Sequence, residues 1–129
     1  MNKQQQQRAF QQYNRNRIIT ASPGELVLFL YEGCIKFCNI AKTAIENKDY
    51  YEANENLKKS QAIIRELQGT LNFDYEVAND FDNIYSYLLP RLVEANIKKD
   101  TEILEECLEH LITLKDTWKE IMKINKENR

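Results

Sequence analysis

The sequence predicts an all-α protein, an antiparallel up-down four-helix bundle with a flexible N-terminal segment. Three observations carry that expectation. Apolar residues recur at spacings of three and four along four stretches of about twenty residues each. Only 3 Gly and 2 Pro occur in 129 residues, too few turn-formers for the frequent chain reversals of an all-β fold. Residues that start helices stand between the stretches. The length suits one domain, large enough to bury about two-thirds of its unfolded surface in a single core.

Segment 1–22 is low in complexity, with Gln4–Gln7 and Gln11-Gln12, and order is expected to begin near Tyr13. It carries Lys3, Arg8, Arg15 and Arg17 and no acid. Ser22-Pro23-Gly24-Glu25 then reads as a helix start, with Ser22 as cap, Pro23 at the first position and Glu25 closing a capping box. The first helix is expected to reach about Asn47 on a stripe of Leu26, Leu30, Cys34, Phe37, Ala41 and Ala44. Val27, Leu28, Phe29 and Tyr31 make its opening turns apolar nearly all round, so it must be covered on more than one side.

Asp49 caps the second helix, with Glu52 three residues on. Its stripe is Ala53, Leu57, Ser60, Ile64, Leu67 and Leu71, and Gly69 marks its end. Asp74 is placed to cap the third, whose stripe is Ala78, Phe81, Tyr85, Leu88, Leu92 and Ala95, with Asn96 closing it. Pro90 falls inside that pattern. It removes a backbone donor and crowds the Ser86 carbonyl, so a kink or short break is expected there. Asp100 caps the fourth helix, with a stripe of Leu104, Cys107, Leu111, Leu114, Trp118 and Ile121. Short connections force neighbouring helices to run antiparallel. The expected division is a flexible basic segment 1–22, a bundle over 23–124 and a C-terminal tail 125–129.

Several function classes fall away. The longest wholly apolar run is Leu26–Tyr31, far short of the roughly 20 residues of a membrane span, and no secretory signal is visible. Three cysteines inside apolar stripes fit free thiols and a cytoplasmic location. Segment 1–22 has a net charge of +4, leaving 14 basic against 20 acidic residues and a net of −6 for the rest. An acidic body is a poor nucleic-acid binder. One histidine, His110, excludes the paired Glu-x-x-His motifs of a di-iron bundle. Cys34, Cys38, Cys107 and His110 have helical spacing that suits zinc, but Cys34 and Cys107 fall at different heights, and cores accept cysteine readily. No nucleophile stands with an oriented base, and the glycines are isolated. Neither an enzyme nor a cofactor or metal site is expected.

Apolar surface is left over. Tyr50-Tyr51 open the second helix, and Tyr85 and Tyr87 point to different faces of the third, so both cannot sit in one core seam. Each is either a core-rim residue or part of an interface, where a ring is buried and its hydroxyl stays wet. Together they suggest a groove for a partner's amphipathic helix. Phe10, Tyr13 and Ile18 give the N-terminal segment the anchors to lie there when the partner is absent.

The motif Tyr13-x-x-Asn16-x-Ile18-x-Thr20-Ala21-Ser22-Pro23-Gly24-Glu25-Leu26 resembles the N-terminal signature of the flagellin-specific export chaperones, the FliS family. Leu30-Tyr31-Glu32-Gly33-Cys34-Ile35-Lys36-Phe37 looks like the stretch that follows it there. Asn54-Glu55-Asn56-Leu57, Tyr85-Ser86-Tyr87-Leu88, Arg91 to Lys98 and Asp116-x-Trp118-Lys119 match further blocks in order. Pro90 departs from the pattern, which has a basic residue before Arg91.

The resemblance implies a helical bundle that holds the C-terminal segment of flagellin in the cytoplasm. It implies that the bundle prevents premature polymerisation and delivers flagellin to the flagellar export apparatus. It also places Tyr13, Asn16 and Ile18 at the partner site, in agreement with Tyr85 and Tyr87 read above as surface tyrosines. The alternative is a regulatory adaptor that binds another flagellar regulator through the same apolar surface. Weak self-association through that surface is a further expectation, and no nucleic acid or membrane insertion is expected.

Overall fold

The computed structural model describes residues 23–127, so segment 1–22, with Tyr13, Asn16 and Ile18, lies outside the described residues. Four helices follow one another: α1 (Pro23–Glu46), α2 (Tyr50–Gly69), α3 (Val77–Lys98) and α4 (Thr101–Glu127). Each packs against its chain neighbour, and α4 closes the ring against α1. The antiparallel sense shows in the contacts, where numbers rise on one helix as they fall on the next. Asn54 bonds Asn96 and Gln68 bonds Asp82 between α2 and α3. Trp118 bonds Gly24 and Glu105 pairs with Lys42 between α4 and α1.

The core follows the expected periodicity closely in α2 and α3. Ala53, Leu57, Ser60, Ile64 and Leu67 are buried, as are all six residues of the α3 stripe. In α1 the expected stripe holds at Cys34, Ala41 and Ala44, which are buried, and shifts at its other positions. Tyr31 and Cys38 are fully buried, whereas Leu30 and Phe37 flank the core half-buried and Leu26 is exposed. A helix apolar on several sides does not reveal by periodicity which side faces in.

Caps explain most boundaries. The Asp49 carboxylate accepts from the Glu52 amide at 3.2 Å, starting α2 as expected. The Asp100 carboxylate accepts from the Glu102 and Ile103 amides and starts α4. Asp74, in contrast, does not cap α3. Its amide donates to Asn72 Oδ1 within a turn, and α3 begins three residues later without a side-chain cap. α1 and α3 both end on a left-handed lysine, Lys48 (φ 61°) and Lys99 (φ 50°). The next amide donates back to Ala44 in α1 and to Ala95 in α3. α3 therefore runs past Asn96 to Lys98, and α4 runs past residue 124 to Glu127. The break expected at Pro90 is absent, since α3 is continuous through it. Pro90 and Ser86 are both exposed, so the carbonyl that loses its helical donor can be hydrated.

Candidate partner-binding site

The start of α1, the α2–α3 connection, the start of α3 and the end of α4 meet at one end of the bundle. Trp118 organises it. Its indole Nε1 donates to the Gly24 carbonyl at 2.9 Å and fastens the first turn of α1 to α4. Gly24 faces Met122, and a Cβ there would sit 3.4 Å from that side chain, an ordinary van der Waals distance. The Phe81 ring meets Trp118 edge-on at 6.1 Å and lies 6.3 Å from Tyr85. Beneath them the hydroxyls of Tyr31 and Tyr85 bond to each other across the core. Burial pushes the Tyr85 phenol up to about 12 and the Tyr31 phenol higher still.

Above this floor lies a cavity of about 500 Å³, lined by Val27, Leu71, Tyr75, Val77, Phe81, Tyr85, Trp118 and Ile121 among others, with no charged side chain in its lining. A second cavity of about 280 Å³ continues along the α3–α4 seam and shares Val77, Phe81 and Ile121 with the first. A third, of about 580 Å³, opens beside Pro23, Gly24 and Met122 and shares Trp118 and Ile121. In the lining Tyr75 and Val77 are 66% and 50% exposed, and Phe73, in the same α2–α3 connection, is 56% exposed. So much large apolar side chain in water at one place is the mark of an interaction surface.

Comparison with known proteins shows the family. A family profile described as "Flagellar protein FliS" matches residues 5–125. The flagellar secretion chaperone FliS of Bacillus subtilis is 43% identical over 95% of this chain and 92% of its own. FliS of Campylobacter jejuni is 31% identical over 88% of this chain and 90% of its own. The chaperone FliSB of Pseudomonas aeruginosa is 31% identical over 79% and 82%. The chain belongs to the FliS family of flagellar secretion chaperones. That is a family of chaperones, which is not an enzyme class.

Within this FliS-family bundle the two candidate tyrosines part company. Tyr85 is 2% exposed and forms the cavity floor. Tyr87, 47% exposed, reaches across the α3–α4 seam. Its hydroxyl donates to Glu106 Oε1 at 2.6 Å, and its ring meets His110 edge-on at 5.6 Å. Arg91 forks onto the same carboxylate, Nε to Oε1 at 3.2 Å and Nη2 to Oε2 at 3.1 Å. Its Nη1 donates to Glu94 at 2.7 Å, and Lys98 holds the other Glu94 oxygen at 2.8 Å. Hydrogen bonds from Arg91 and then Tyr87 hold the Glu106 carboxyl below its ordinary range, and those from Lys98 and Arg91 do the same for Glu94.

The cysteines serve packing. Cys34, Cys38 and Cys107 are free, buried thiols. Contact with Cys38 together with burial pushes Cys34 up, and burial pushes Cys107 up to about 12. His110 lies on the exposed side of α4 against Tyr87. Among the described residues no group of three or more His, Cys, Asp or Glu is placed to hold a metal ion, and no helix is long and apolar enough to cross a membrane. The residues that sequence reasoning missed are Phe73, Tyr75 and Val77. Their signal was present as two aromatics in the connection between α2 and α3, where turn residues are the norm.

Proposed function

We propose that this FliS-family chaperone holds the C-terminal segment of flagellin as an amphipathic helix, keeps it from polymerising in the cytoplasm, and delivers it to the flagellar export apparatus. The observation that carries this reading is the uncharged cavity over Tyr85 and Trp118, continuous with the α3–α4 seam and lined in part by exposed Tyr75 and Val77. A disordered segment folding there buries its apolar face, the face it needs for assembly. Ordering costs several kcal/mol of gross interaction energy, so the complex stays reversible enough for release. No nucleotide is needed, since mass action and handover suffice. Tyr13, Asn16 and Ile18, on the segment that joins α1 beside the cavity, cover the site when no partner is bound. Self-association through the same surface is weak and competes with the partner.

Calorimetric titration with a synthetic peptide of flagellin's last forty or so residues, about the length of two helices, tests the reading. Saturable binding near one to one with a negative heat-capacity change is expected, and removal of residues 1–17 should tighten it. No binding heat in either form would sink it.

A further inference from the structure

The seam between α3 and α4 is open along only part of its length. From the end cavity it runs over Phe81, Ile84 and Leu114, with Asp80 on one bank and Thr113 and Thr117 on the other. It then meets Tyr87, whose side chain crosses from α3 to α4 to reach Glu106 and His110. Directly behind, Arg91 makes the same crossing to Glu106. The open length corresponds to about eleven residues of either helix, roughly 16 Å at 1.5 Å per residue. A three-turn helix has that length.

We infer that the seam is a slot of fixed length for one helix of the partner, and that the Tyr87–His110–Glu106–Arg91 crossing is the stop that sets the helix's register. The inference rests on the reading of the site as the seat of flagellin's C-terminal segment. The occupant is an amphipathic helix of that segment for two reasons. The floor is apolar and continuous with the uncharged end cavity, which suits a helix's apolar stripe. The banks carry a carboxylate and two hydroxyls, which suit the polar flanks of that stripe. The crossing can act as a stop because both Glu106 oxygens and the Tyr87 hydroxyl are already engaged. A helix pushing further would have to break charge-assisted hydrogen bonds. An apolar slot without such a stop lets a helix slide by one turn with little change in contact.

The native thiols are all buried, so an Asp116→Cys variant of the full chain takes a nitroxide at one exposed position beside the seam but outside its lining. The probe is the same peptide of about forty residues, isotope-labelled, and the readout is which of its resonances the nitroxide broadens. A single contiguous set is expected with Tyr87 in place, and also with Tyr87→Phe, which keeps the ring across the seam. Tyr87→Ala and His110→Ala each remove one half of the crossing at an exposed site. Each should displace the set by three or four residues, about one turn, or split it into two registers. An unchanged single set in both alanine variants overturns the stop while leaving partner binding intact. No broadening and no binding heat in the unmutated background overturns the flagellin reading and the stop together.

Discussion

The Tyr31–Tyr85 hydroxyl pair shows how one contact both builds the core and floors the site. The two phenols are 0% and 2% exposed and satisfy each other in a region otherwise apolar. Tyr31→Phe or Tyr85→Phe alone leaves a buried hydroxyl without a partner, at a cost of about 1–3 kcal/mol. The double variant removes both groups and should recover most of that loss, so urea midpoints of the four proteins should be strongly non-additive. Nothing in the sequence distinguishes Tyr85 from Tyr87 in chemistry. Their positions two residues apart on α3 send one to the floor of the cavity and the other across the seam. That the two face differently was legible from helical geometry. Which of them faces in follows from the six-residue α3 stripe, but the hydroxyl partners depend on α1 and α4 and were not legible.

At the scale of the helices, existence, order and most starts were readable, and the C-terminal ends only in part. Stripes at spacings of three and four located α2, α3 and α4, because each has one apolar face. The opening turns of α1 are apolar nearly all round, so although Cys34, Ala41 and Ala44 are inside as expected, Tyr31 and Cys38 are buried where Leu30 and Phe37 were expected. Gly69 ends α2 as expected and α1 stops within a residue of Asn47, but α3 runs past Asn96, because left-handed caps favour glycine and here Lys99, like Lys48, adopts one. A left-handed residue other than glycine carries a penalty of about 1–2 kcal/mol. Lys48→Gly is therefore expected to raise stability by about 0.5–1 kcal/mol once glycine's greater unfolded freedom is counted, read as a higher urea midpoint at constant slope. Pro90→Ala restores a donor for the Ser86 carbonyl and should stabilise α3 by up to about 3 kcal/mol. Loss of stability in that variant would show that Pro90 makes a contact worth more than the missing hydrogen bond.

The α3–α4 pair also carries a pH dependence. Arg91 and Tyr87 hold the Glu106 carboxyl below its ordinary range, so the folded state favours the carboxylate. The resulting stabilisation is fully present above the ordinary carboxylate range near 4–5 and is lost as pH falls through the lower folded value. Unfolding midpoints measured from pH 6 down to pH 3 should drop more steeply for the unmutated protein than for Glu106→Gln, which cannot titrate there. Equal slopes would mean that solvent screens the crossing completely.

For the whole molecule, folding and the proposed partner binding share the floor of Phe81 and Tyr85 and differ at the half-exposed rim. Folding uses the closed core from Ile45 and Ala53 at one end to Phe81 and Leu114 near the other. The proposed binding adds side chains that the fold leaves in water, with Val77 half exposed at the junction of the end cavity and the seam. A ligand that binds only the native bundle stabilises it by mass action, about 2.7 kcal/mol at one hundred times its Kd. For a domain of this size that raises Tm by roughly 10 °C or more. Val77→Asp places a charge in the uncharged lining without removing anything from the core. Its Tm alone should match that of the unmutated protein, while the rise on adding the flagellin peptide should shrink or vanish. A variant that keeps the full rise would put the binding surface elsewhere on the bundle. A variant already unstable alone would show that Val77 belongs to the core. The two surfaces are separable only if the first quantity stays and the second goes.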